Sequence, residues 1–179
     1  MITHWNGSAF PDGPADLFYA RIRCLWECYR DTRLADFWVQ RAQGKTIAWL
    51  CRMEDTVTVC GLPWAEWEEL EGFVSFLSPR EVFCPPEMEP CASMLTAQGV
   101  VLHCAKPYGP FTACPDVEVV KNPPAGRVYD LLYQCQSDTL ILPDRDGFLA
   151  DYAWRARLGM GRSWLLRADG LDVASAMTT

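Results

Sequence analysis

Residues 36–60 read DFWVQRAQGKTIAWLCRMEDTVTVC. Asp36–Arg41 is extended and aromatic, and Gln43-Gly44 supplies turn chemistry. Thr46–Met53 alternates, with Ile47, Trp49 and Cys51 on one face. Glu54-Asp55 turns the chain, and Thr56–Cys60 sets Val57 and Val59 against Thr56 and Thr58. Successive side chains on a strand point to opposite faces, so the stretch predicts three strands in an antiparallel meander.

The flanks read as helices. On the N-terminal side, residues 16–30 carry Leu17, Phe18, Ile22, Leu25, Trp26 and Tyr29 at three- and four-residue spacing behind Asp16, a suitable N-cap. On the other side, Trp64–Leu77 has a stripe of Trp67, Leu70, Phe73, Val74 and Leu77. Its acids, Glu66, Glu68, Glu69 and Glu71, lie mostly in the first half, at the positive end of the helix dipole. Ser78-Pro79 stops it. A short strand at Glu81–Cys84, a helix at about 88–97 ending at Gly99, and a strand at Val100–Cys104 follow. A meander feeding a strand–helix–strand crossover predicts an α/β (α+β) fold with a mixed, largely antiparallel sheet flanked by helices.

Lys106–Cys114 holds Pro107, Gly109 and Pro110 and is the linker candidate. After it the pattern restarts. Asp116–Lys121 reads as a strand, Val128–Cys135 as a short helix, and Asp144–Leu158 as a longer one with Phe148, Leu149, Tyr152, Ala153 and Ala156 apolar. Gly159 and Gly161 end it. Arg162–Arg167 and Leu171–Thr178 flank Asp169-Gly170, a hairpin signal. The expected division is a domain at 1–106 and a second at 115–179.

Composition excludes whole classes. With half of 179 residues hydrophobic and 12% aromatic, the chain is no disordered tail. A net charge of −7, with dispersed Lys and Arg, argues against a nucleic-acid partner. The densest basic group is Arg155, Arg157, Arg162 and Arg167. The N-terminus lacks a basic region followed by an apolar core, and no apolar run approaches the ~20 residues of a membrane span. The expectation is a cytoplasmic protein with no membrane partner. Nine Cys is an odd number and no C-x-x-C occurs, so reduced core thiols are expected. His4 and His103 have no paired ligand motif, so no metal is expected.

The segment VYDLLYQCQSDTLILPDRDGFLADYAWRARLGMGRSWLLRADGLDVASAMTT, residues 128–179, resembles the N-terminal half of a GNAT-superfamily N-acetyltransferase, most like a bacterial, Firmicutes-type group. The likeness lies in the order strand, helix, helix, hairpin, with Ala174-Ser175-Ala176-Met177 in the last strand. Residues 16–104 resemble a degenerate GNAT-like domain, since meander, helix, strand, helix, strand is the order of the family's later elements. The resemblance implies the acyl-CoA N-acyltransferase topology, acetyl-CoA as cofactor, and acetyl transfer to an amine. The family's Q/R-x-x-G-x-G/A loop, which holds the CoA pyrophosphate on backbone N–H groups, is missing, and Thr179 falls just before the elements that would carry it. Gly61-Leu62-Pro63-Trp64 stands where that loop belongs in the first half. It offers one Gly, a Pro without an N–H and an acidic helix start. The expectation is that this chain alone does not bind acetyl-CoA.

Three functional readings follow. Acetyl transfer needs a base for the amine and an acid for the thiolate. The resemblance places Asp151, Tyr152 and Arg155 on the acceptor side as substrate-binding candidates and names no catalytic residue. Tyr152 also fits the apolar stripe, and Arg155 suits an acidic acceptor or solvent. The second reading is a non-catalytic module acting through protein association: an unpaired sheet edge predicts a homodimer, and Trp5, Trp64 and Trp154 suit an interface. The third is a nucleophilic Cys. It needs a His beside it, but His103 and Cys104, as strand neighbours, point apart.

Overall fold

The computed structural model describes residues 1–88, 116–137 and 142–178. The helix expected at about 88–97, the strand Val100–Cys104, the linker Lys106–Cys114 and the His103–Cys104 pair lie outside the described residues. The chain divides into two units, Met1–Val100 and Val101–Thr179.

In the first unit the meander forms as its alternation dictates. It runs β1 (Ile2–His4), α1 (Leu17–Tyr29), β2 (Ala35–Ala42), β3 (Lys45–Met53), β4 (Thr56–Gly61), α2 (Trp67–Leu77) and β5 (Glu81–Phe83). The sheet order is β1-β2-β3-β4-β5. The first three pairings are antiparallel, and β5 lies parallel to β4 across the α2 crossover. Gln43 and Gly44, at φ 51° and 76°, form the two-residue turn between β2 and β3. β1 is too short to show a period in sequence, and only its pairing of Thr3 with Val39 reveals it.

β3 departs from a one-faced strand. Ile47, Ala48, Trp49, Leu50 and Cys51 are all buried. The reason is a helix on each face. Ala48, Leu50, Val57 and Val59 pack with Leu70 and Val74 of α2. Trp49, on the opposite face, meets Tyr19 of α1 edge-on at 5.3 Å, and α1 lies on β3 and β4.

The α1 face is closed by residues 5–16, which have no regular structure. Phe10 inserts among Tyr19, Trp26 and Phe37, with ring centroids at 6.2, 5.6 and 6.1 Å. The Tyr19 hydroxyl (2.9 Å) and Trp49 Nε1 (3.2 Å) both donate to the Pro11 carbonyl. Asp16 caps α1 as its sequence predicts, accepting from the amides of Phe18 and Tyr19 at 2.8 and 3.2 Å.

Among the described residues the α2 face holds one buried polar side chain, Gln40, with no solvent exposure. Its Nε2 donates to the Glu66 carbonyl (3.0 Å) and to Glu69 Oε2 (2.7 Å), and its Oε1 accepts from the Glu66 amide (3.0 Å). Glu66 precedes α2 and makes no capping bond with its own side chain. The sheet therefore supplies the cap. The helix starts at Trp67 rather than Trp64, because the Ala65 amide closes a turn onto the Leu62 carbonyl at 2.8 Å.

The second unit comprises β6 (Val117–Lys121), α3 (Ala125–Gln134), α4 (Arg145–Arg157), β7 (Arg162–Ala168) and β8 (Leu171–Thr178). Its sheet is antiparallel in the order β6-β7-β8. Asp169 and Gly170, at φ 52° and 78°, make the β7–β8 turn. α3 begins three residues before the expected Val128, with Pro124 at its cap position. The Arg127 amide donates to the Pro124 carbonyl at 3.0 Å and closes the first turn. Val128, Leu131 and Leu165 form a small core, joined by Val120, Leu132, Phe148 and Tyr152. The Arg127 guanidinium grips Asp172 through both carboxylate oxygens, tying α3 to β8. Those hydrogen bonds hold the Asp172 carboxyl below its ordinary range. A lowered carboxylate pKa stabilises the fold at neutral pH, and that contribution is lost as pH falls through the lowered value. Among the described residues no helix is long and apolar enough to cross a membrane.

Gln40→Ala leaves the Glu66 amide and carbonyl without their side-chain partner. It should destabilise the protein by about 1–3 kcal/mol, read as a lower denaturant midpoint for the far-UV transition. An unchanged midpoint would show that the cap carries no stability.

Candidate functional site

α4 is positioned by Asp144, whose side chain accepts from the Gly147 amide at 2.9 Å. Its second half walls a cleft of ≈ 210 Å³, completed by Gly161, Arg162, Met177 and Thr178 from the start of β7 and the end of β8. The three expected site residues, Asp151, Tyr152 and Arg155, all line it.

Their chemistry differs. Arg155 Nε lies 2.8 Å from Asp151 Oδ2, an i,i+4 ion pair on the helix rim. Tyr152 forms floor rather than rim. Its ring stands 6.1 Å from that of Phe148 and packs on the Val128–Leu165 core. Its hydroxyl donates to the Pro123 carbonyl at 3.2 Å and lies in hydrogen-bond contact with the buried Ser163 hydroxyl. A phenol held this way anchors the cleft and is not positioned as a mobile proton carrier. The sequence puts Arg162 in its densest basic group, but only the register that sets Arg162 opposite Thr178 brings the start of β7 and the end of β8 together beside α4.

A second cleft, of ≈ 450 Å³, lies in the first unit between residues 4–8, the end of α1 and the start of β2. His4 Nε2 stands 3.4 Å from Asp36 Oδ1 there, and the Arg30 guanidinium covers the Trp26 ring at 4.4 Å. Both polar pairs are satisfied internally.

The β4–α2 turn is where the resemblance puts a pyrophosphate. Its amides are largely taken. Leu62 donates to the Ile47 carbonyl (2.9 Å), Ala65 to the Leu62 carbonyl (2.8 Å) and Glu66 to Gln40 (3.0 Å), while Pro63 has no N–H. The Trp67 ring covers Gly61 so closely that a Cβ there would meet it at 2.4 Å. Glu68 and Glu69 stand in the first helical turn, the Glu69 carboxylate held by Gln40 Nε2 (2.7 Å) and the Met1 ammonium (3.1 Å). This donor set does not suit a phosphate.

The described thiols differ in reactivity. Burial pushes Cys51 up to about 12. Burial, helped by the Asp16 carboxylate 3.5 Å from its sulfur, pushes Cys60 up to about 12. Cys135 is exposed. Among the described residues no group of three or more His, Cys, Asp or Glu is placed to hold a metal ion. Comparison with protein-family models, with curated proteins and with solved structures gives no match.

With that elevation, only about one in 10⁴ molecules carries a thiolate at Cys51 or Cys60 at pH 8. Peptide mapping after iodoacetamide treatment of the native protein should find Cys135 alkylated and Cys51 and Cys60 intact. Alkylation of either at the rate of Cys135 would contradict their burial.

Proposed function

We propose that this chain is a GNAT-superfamily relative that works by association rather than by acetyl transfer. The element orders support the superfamily reading: meander, helix, parallel strand in the first unit, and strand, helix, helix, hairpin in the second. The filled β4–α2 turn is the observation that carries the non-catalytic part. The family's chemistry begins with a row of free N–H groups around a pyrophosphate. Here Ile47, Leu62 and Gln40 occupy those groups, and two glutamates stand at the helix start. Electrostatics and hydrogen bonding both oppose the anion. We therefore read acetyl-CoA as the superfamily's cofactor and not as a ligand of this first unit.

Association has its own support. β8 is an edge strand in the described sheet, and its Leu171, Val173 and Met177 are exposed. Natural edge strands are guarded by charge, and β8 beyond Asp172 has none. Pairing of β8 with β8 of a second copy gives a homodimer through strand addition.

Thermal unfolding with ~1 mM acetyl-CoA should match unfolding without it, since a ligand at 100 times its Kd adds about 2.7 kcal/mol and a clear rise in Tm. A rise of that size would overturn the non-catalytic reading. Separately, sedimentation at micromolar concentration should find a dimer, with Ala176→Lys shifting it toward monomer by charging the edge. A monomer for the parent chain would sink the β8 pairing.

A further inference from the structure

The sheet of the second unit has two faces, and alternation along its strands assigns them. Ser163 meets Tyr152 of α4, Leu165 and Val120 belong to the core with α3 and α4, and Arg127 of α3 holds Asp172. Val117, Val119, Trp164, Leu166, Ala174 and Ala176 therefore stand on the outer face. They are in register across the strands, with Val119, Leu166 and Ala174 in one row and Lys121, Trp164 and Ala176 in the next. An antiparallel sheet with one wet face ordinarily alternates apolar inside with polar outside. Here the outer positions are apolar as well, and Trp164-Leu165-Leu166 reads as a strand covered on both sides. Yet Val119 is 55% exposed, and Ala174 and Ala176 are exposed.

The charge on this outer face has one sign. Lys121 and Arg162 share one end of it, at diagonal positions of β6 and β7 that long side chains can bridge. Both are exposed, and neither makes a hydrogen bond or ion pair among the described residues. The acids of the three strands, Glu118 and Asp172, stand on the helix side, both against Arg167.

We infer that the outer face of this sheet docks an amphipathic helix of a partner protein, its apolar stripe lying along Val119, Leu166 and Ala174 and an acidic turn reaching Lys121 and Arg162. Charge sets the acidic turn, since two neighbouring cations without a counter-charge favour a carboxylate between them. Size sets the helix. At ~4.8 Å between strands and ~3.3 Å per residue, the face is about 14 Å wide and about 16 Å long. That is on the order of 220 Å², against ~800 Å² per partner in a standard stable interface, so a second copy packed face to face is poorly served. It matches a single helix about 10 Å across and about 11 residues long. An anionic membrane would set a broad negative surface against a chain of net charge −7, whereas a helix brings its carboxylates to the cation pair alone. The face is distinct from the β8 edge, so the inference depends neither on strand pairing nor on the superfamily reading.

The test is an amide-shift NMR titration of the full chain with two synthetic helices of about 14 residues. Both carry leucines at three- and four-residue spacing. One ends in a glutamate-rich turn and the other in a lysine-rich turn. The acidic helix should saturate, move the signals of residues 117–121 and 162–176, and bind about tenfold more tightly than the basic one. Val119→Gln, an exposed change on the strand farthest from β8, should weaken both helices about tenfold and leave sedimentation of the chain unaltered. Lys121→Glu combined with Arg162→Glu should reverse the preference between the two. Equal affinity of the parent chain for both helices overturns the inference, as do a failure to saturate and an unreversed preference in the charge-swapped chain. A sedimentation change in Val119→Gln assigns the face to a second copy instead. Binding of the parent chain, but not of Val119→Gln, to vesicles of anionic lipid assigns it to a membrane, and either result overturns the helix.

Discussion

The buried amide of Gln40 sets the geometry of the first unit. A carboxamide without solvent must satisfy its donors and acceptor inside the protein, and it does so at one place, the start of α2. That requirement fixes where the helix begins. It also fixes how the helix crosses the sheet, because Leu70 and Val74 reach Leu50, Val57 and Val59 only from that start. The turn between β4 and α2 is then left with few free amides. An apolar residue at this position would leave α2 to find its own cap, and Glu66 supplies none.

Much of the architecture was legible from local rules. The meander came from period-two alternation, α1 from its stripe and Asp16, and the β7–β8 hairpin from Asp169-Gly170. Each of these depends on residues close together in sequence. What sequence did not carry was non-local. β1 has three residues and exists only as a partner of β2. The burial of both faces of β3 required knowing that α1 and α2 take opposite sides, since Ile47–Cys51 shows polar and apolar sides only weakly. Gln40 looked like an ordinary residue near a strand end.

The cleft was half legible. Asp151, Tyr152 and Arg155 fall within one helical turn and a half, so the sequence could place them together on α4. It could not divide their roles. Tyr152 proved to be anchored by Pro123 and Ser163, while Asp151 and Arg155 neutralise one another at the rim. Residues at the start of β7 and the end of β8 come from two other strands, and their arrival depends on hairpin register.

The Pro11 carbonyl receives two side-chain donors from different elements, Tyr19 and Trp49. An irregular segment ordinarily tolerates insertions because it is held only at its ends. Residues 5–16 are held in the middle. Their length is therefore metered: an added residue on either side of Pro11 would move Phe10 out from between Tyr19, Trp26 and Phe37 and strand two buried donors at once. In this protein the stretch without secondary structure is fixed in length by the side chains that hold its middle.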